Sequence, residues 1–160
     1  MKFGILLALY YVLVLTPAGD RLLYAHLCNN AWLAAGILNW FGQDCTVSEI
    51  SIRTAHFAIT VRRGCDALEP WWFFSAALLA YPAPFARKAA GLVVGGVILQ
   101  GLNVVRIVTL YFIGVRWPRF FGPAHGEIWP AIFMLAALIL WLGWLNWSKR
   151  ATPRTSHVTP

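Results

Sequence analysis

Three side chains of this sequence carry the elements of a nucleophilic reaction: a thiol at Cys65, a guanidinium at Arg106 and an imidazole at His125. Cys65 stands in RRGCDALEPWWFF (62–74), among two arginines and two carboxylates and just ahead of an apolar run. A cysteine is mostly protonated near neutral pH, but a helix N-terminus, a nearby cation or a paired imidazole increases its thiolate fraction. His125, in GPAHGE, is a candidate to accept that proton and return it to a leaving amine. Arg106 lies inside the run LNVVRIVTLYFIG, where a charge is costly and therefore faces protein or a water-filled cavity. Its candidate role is to hold an oxyanion or a carboxyl group near the thiol. Gln100 and Asn103 share roughly one helical face with it, so a polar stripe points into the bundle. Asn103 and Glu69 are the candidates for substrate contact.

Each of these residues also has a plainer reading. A lone cysteine in a membrane protein is often a small apolar filler, Arg106 could tie a backbone carbonyl, and His125 could be a loop residue. Asp66 and Glu69 fit charges favoured at a helix start, although either could orient a catalytic group. Gly91 and Gly95, four apart, fit close helix packing. Cys28, Cys45 and Cys65 form neither a CxxC pair nor a zinc-type cluster, so neither a metal nor another cofactor is expected. The odd count leaves at least one thiol unpaired within the chain, and a Cys28–Cys45 bridge would require an oxidising outer side.

The elements that must bring these groups together are read from hydropathy. Of 160 residues, 59% are hydrophobic and 12% charged, with a mean hydropathy of +0.64. Charges cluster at the ends of apolar runs, several of which approach the roughly 20 residues that cross a bilayer. Phe3 to Ala18, closed by Pro17 and Gly19, is expected as a retained anchor, because TPAGD is a poor signal-peptide cleavage site. Leu22 to Gln43 is expected as an interfacial or bundle-covering helix. It places His26, Asn29, Gly36, Asn39 and Gln43 on one face and Leu27, Ala31, Ala34, Leu38 and Phe41 on another. Residues 46–62 alternate at period two on either side of RTA and predict a short extracytoplasmic β-hairpin. Pro70 to Phe85, Ala89 to Val115 and Ile128 to Trp147 are the remaining spans.

The sequence thus predicts an all-α polytopic membrane protein with about four transmembrane helices, an interfacial helix and a hairpin. Residues 1–148 form a single integral domain, and 149–160 a polar cytoplasmic tail. Four spans put both termini on one side, where Lys2, Arg87, Lys88, Lys149, Arg150 and Arg154 fall; the positive-inside rule makes that side cytoplasmic. Trp71, Trp72, Trp117 and Trp129 gather at the opposite ends of the spans, with Cys65, Arg106 and His125. At about 1.5 Å per residue, Arg106 lies roughly 25 Å along the run that begins at Ala89. The net charge of +7 forms no basic stripe, so no nucleic-acid partner is expected; the lipid bilayer is.

VRRGCDALE ahead of a span, LNVVRIVTLYFIG with its Asn-x-x-Arg in the next, and HGEIWPAIFMLAALIL opening the last resemble the exosortase/archaeosortase family of polytopic membrane cysteine transpeptidases. The resemblance covers roughly Ile50 to Trp147 and is nearest to the compact exosortase H subclass. It implies a bacterial inner-membrane enzyme whose active site faces the periplasm. Its substrates would be exported proteins ending in a C-terminal sorting signal: a short motif, a transmembrane helix and a basic end. Cys65 would attack a peptide bond near the motif, His125 would serve as acid and base, and Arg106 would stabilise the intermediate. The acyl group would then pass to an unidentified acceptor nucleophile. One departure stands out: Asp66 and Ala67 follow Cys65, where members commonly carry a small polar residue and glycine.

Two other classes remain open from the sequence. A four-helix membrane thiol-disulfide oxidoreductase would use the three cysteines for electron transfer, although such enzymes usually rely on a close pair. A non-enzymatic membrane assembly protein would use Arg106 as a packing tie and leave Cys65 without covalent chemistry.

Overall fold

The computed structural model describes residues 15–150 together with Gly4, Ile5 and Val12. The expected anchor at Phe3 to Ala18 and the tail beyond Arg150 lie largely outside the described residues.

Helix α1 spans Pro17–Trp40. Thr16 caps it, its Oγ1 accepting the Gly19 N–H at 3.0 Å, while Pro17 enters the first turn, where a missing N–H costs no helical bond. Pro17 and Gly19, expected to close the preceding run, therefore open this helix. Its buried face is Leu23, Leu27, Ala31, Ala34 and Leu38, close to the expected stripe, and small residues there let α1 lie against the long helix described below. Asn30 is buried too and accepts a hydrogen bond from Gln100 across that contact.

Residues 46–60 form a three-stranded antiparallel meander: β1 (Thr46–Ser48), β2 (Ser51–Arg53) and β3 (Ala58–Thr60), in that order. The expected hairpin was one strand short because its alternation runs through a turn. Val47 pairs with Ile52 and Ser48 with Ser51, and between the strands Glu49 takes a φ of 56°. The next turn is held by Thr54, whose Oγ1 accepts the N–H groups of His56 and Phe57. Ile52 and Ile59 face inward, and Tyr111 secures the sheet from below through its hydroxyl, bonded to Thr54 Oγ1 at 2.9 Å and Gln43 Oε1 at 3.0 Å.

Helix α2 (Leu68–Ala80) is followed by α3 (Phe85–Arg116), the short α4 (Pro118–Pro123), a π-turn at Ala124–Ile128 and α5 (Trp129–Arg150). Tyr81 precedes Pro82 in extended backbone, as the steric rule for residues before proline requires, and this ends α2. Among the described residues, two stretches are long and apolar enough to cross a membrane: Phe85–Arg116 and Pro118–Arg150. Helix α2, expected to be a span, has 13 residues, or about 20 Å against a hydrocarbon core of about 30 Å. Helix α1 is long enough but carries Asp20, Arg21 and several amides. Of the four expected spans, the first lies largely outside the described residues, and two of the other three are long and apolar enough to cross. Outward-facing Val93, Val94, Val97 and Ile98 on α3, and Met134, Leu135, Leu138 and Ile139 on α5, give the two long helices apolar outer surfaces.

Helices α2, α3 and α5 pack against one another. Gly91 faces Leu78 and Trp144, and Gly95 lies against the Phe74 ring; a Cβ at either position would overlap them. At the end remote from the sheet, Trp144 Nε1 donates to Arg87 O at 3.0 Å, Arg87 to Ser148 O at 2.7 Å and Lys88 Nζ to Leu79 O at 2.8 Å. This leaves the sheet end of the bundle to assemble the reactive groups.

Candidate active site

Cys65 sits in the loop between β3 and α2, flanked by two left-handed residues. Gly64 has a φ of 83° and Ala67 a φ of 58°. Ala67 is the helix N-cap without a side-chain bond of its own; Asp66 does the capping instead, its Oδ1 accepting the Leu68 N–H at 3.1 Å. The expected helix-start role of Asp66 is thus realised. The left-handed backbone at Ala67 carries a Cβ penalty that glycine would avoid.

Three long-range bonds fix this loop, each to a successive carbonyl. Arg106 donates to Gly64 O at 3.0 Å, Asn103 Nδ2 to Cys65 O at 3.1 Å, and His26 Nε2 pairs with Asp66 O at 3.0 Å. The first two come from one face of α3 and the third from α1, so two helices clamp the loop. His26 was placed on the polar face of its helix, but its partner, 40 residues away, left no local signal.

The loop presents the Cys65 Sγ to His125 Nε2 at 2.8 Å. His125 belongs to the π-turn, and its ring stacks on Phe121 at a 5.9 Å centroid separation and a 9° interplanar angle. The Arg106 guanidinium also donates to His125 O at 3.3 Å and lies 5.6 Å from the Phe133 ring centre. One cation therefore binds the backbone of both the cysteine loop and the histidine turn. A guanidinium has five N–H donors, so these bonds do not exhaust it, and its buried Nε has no partner among the described residues.

Cys65, Arg106 and His125 line one cleft of about 440 Å³, bounded by β3 on one side and Phe121 on the other. Burial pushes the Cys65 thiol up; the Arg106 charge and a backbone contact from Arg62 pull it back, and the Asp66 charge adds a smaller upward push. Cys65 thus pairs a buried thiol with the His125 imidazole.

Asn103 and Glu69 do not enter this cleft. Asn103 is 0% exposed and donates to the Cys65 carbonyl, so it supports the loop that carries Cys65. Glu69 is exposed in the first turn of α2 and borders a separate cavity of about 120 Å³ beyond Arg106. Cys28 and Cys45 are free thiols outside the cleft.

A family model, Transmembrane exosortase (Exosortase_EpsH), matches residues 3–142, which include the clamped loop, Arg106 and His125. The chain belongs to the transmembrane exosortase family. No curated protein and no solved structure matches it. Exosortase membership carries membrane transpeptidase-type chemistry at the level of the family.

Proposed function

We propose that this exosortase is a cysteine endopeptidase and transpeptidase that cleaves C-terminal sorting signals of exported proteins at the outer face of a bacterial inner membrane. The observation that carries the reading is the Sγ–Nε2 contact of 2.8 Å inside a cleft large enough for a peptide. As Cys65 Sγ attacks the scissile carbonyl carbon, His125 Nε2 takes the thiol proton, and the new S–C bond leaves a tetrahedral oxyanion. Arg106, which lines the same cleft, is the candidate to hold that charge. Collapse breaks the C–N bond, His125 returns the proton to the departing amine, and a thioester remains on Cys65. An acceptor amine, hydroxyl or water then gives a proton to His125 and attacks the thioester, and the proton restores the thiol.

The substrates on this reading carry a motif, a transmembrane helix and a basic end; the acceptor is a separate nucleophile. The test is a comparison of C-terminal peptides of exported proteins from the native host carrying either the wild-type chain or Cys65→Ala at matched expression. Retention of hydrophobic, basic C-terminal tails only in the variant is the expected result. Unchanged termini with normal insertion would overturn the sorting reading and favour an assembly role.

A further inference from the structure

The cleft has one wall whose chemistry the mechanism has not used. Strand β3 is the last strand of the meander and, among the described residues, pairs with β2 on one side only. Val61 N–H bonds to Ile50 O at 2.8 Å and Thr54 N–H to Phe57 O at 3.0 Å. In an antiparallel ladder, hydrogen-bonded and non-hydrogen-bonded pairs alternate, so the Ile52–Ile59 pair is bonded while Ser51–Thr60 and Arg53–Ala58 are not. The backbone N–H and C=O groups of Ala58 and Thr60 therefore point away from β2.

They point along the cleft. Its wall includes Phe57, Ile59 and Val61 from one face of the strand and Ala58, Thr60 and Arg62 from the other. A cavity over one sheet face would touch one of these sets; a cavity touching both runs beside the strand's open edge. Cys65 follows Thr60 by five positions and closes the same cleft. An open edge is a ready template for a further strand, and extended peptides commonly bind in this way.

We infer that the free edge of β3 is the peptide-binding subsite: the substrate segment to be cleaved lies along Ala58–Thr60 as a fourth strand, with its scissile carbonyl at Cys65. This deepens the proposed function and rests on its reading of Cys65 as the nucleophile. Backbone bonds would supply docking largely independent of side-chain identity, with selectivity left to the residues around the edge.

The test measures alkylation of Cys65 in the full chain in detergent, using two probes: acetyl-Ala-Ala-Ala chloromethyl ketone and iodoacetamide. The ratio of their rates cancels changes in the thiol itself. We expect the ratio to exceed that of free cysteine at least tenfold. It should fall towards the free-cysteine value when the peptide backbone is N-methylated, and in Ala58→Pro and Thr60→Pro, which remove outward N–H donors and leave the backbone bonds to β2 in place, although Thr60→Pro also removes the Thr60 Oγ1–Ser51 Oγ bond. Val47→Pro, on the opposite edge of the sheet, should keep the ratio. A peptide preference that survives N-methylation, the same loss in Val47→Pro, or no preference at all would each overturn the subsite. Failure of the sorting reading is separately visible: host C-termini would be unchanged in Cys65→Ala while the peptide preference persisted.

Discussion

At Cys65 the chain combines a thiol whose pKa burial raises with an imidazole in contact, so on the proposed function attack is coupled to proton transfer to His125. Iodoacetamide labelling of Cys65 should accelerate with rising pH about a midpoint above the roughly 8.5 of a free cysteine, since burial raises the thiol. A midpoint below 7 would instead reveal a resting thiolate–imidazolium pair. Removing the base by His125→Ala should slow substrate processing by about 10²–10⁴-fold, the usual range for general acid–base groups. Cys65 and Arg106 were legible in the sequence, because a thiol before a helix and a charge inside an apolar run each need an explanation. The clamp on three successive carbonyls was not: backbone acceptors carry no side-chain signature, and His26 reaches Asp66 from another helix. Ala67 offers a residue-scale check on the loop. With a φ of 58°, Ala67→Gly removes left-handed strain of about 1–2 kcal/mol but adds unfolded-state entropy. Thermal unfolding in detergent should show unchanged or raised stability for Ala67→Gly and lowered stability for Gly64→Ala; a large loss in Ala67→Gly would refute the strain account.

The elements act on the site through the close packing of α2 on α3. Gly95 presses against Phe74, two turns of α2 below the Cys65 loop, and a methyl at 95 has no space unless the ring moves. Gly95→Ala should therefore destabilise the protein by about 1–3 kcal/mol, the range for overpacking. Gly95→Ala with Phe74→Leu should recover part of the loss, measured by unfolding midpoints of the four members of the cycle. Additive losses would show that the two positions do not share this contact. Helix existence was legible here from hydropathy, and the Gly91/Gly95 spacing pointed to the packing face. Element ends were not. Pro17 follows an apolar run and precedes a polar one, a pattern equally suited to stopping a helix or starting one, and the Thr16 cap decides it. Period-two alternation likewise carried straight through Glu49, so a turn was hidden inside what looked like one strand.

For the whole molecule, the long helices set the depth of the site. At about 1.5 Å per residue, the 32 residues of α3 run about 48 Å, well beyond a hydrocarbon core of about 30 Å. With the Phe85 end anchored at one interface by Arg87 and Lys88, the opposite boundary falls near Arg106, and the remaining turns to Arg116 rise with the sheet above it. This placement divides the charges: Arg87, Lys88, Lys149 and Arg150 at one end, and Arg53, Arg62, Arg63, Arg116 and Arg119 at the other. Both ends are basic, so charge alone decides the orientation weakly. A membrane-impermeant maleimide resolves it in a background with Cys28, Cys45 and Cys65 replaced. Thr60→Cys, exposed on β3, should label in intact spheroplasts, whereas Lys149→Cys, at the far end of α5, should label only after the membrane is opened. The reverse pattern would put the thiol on the cytoplasmic side, out of reach of exported proteins, and the catalytic geometry would then need a cytoplasmic substrate.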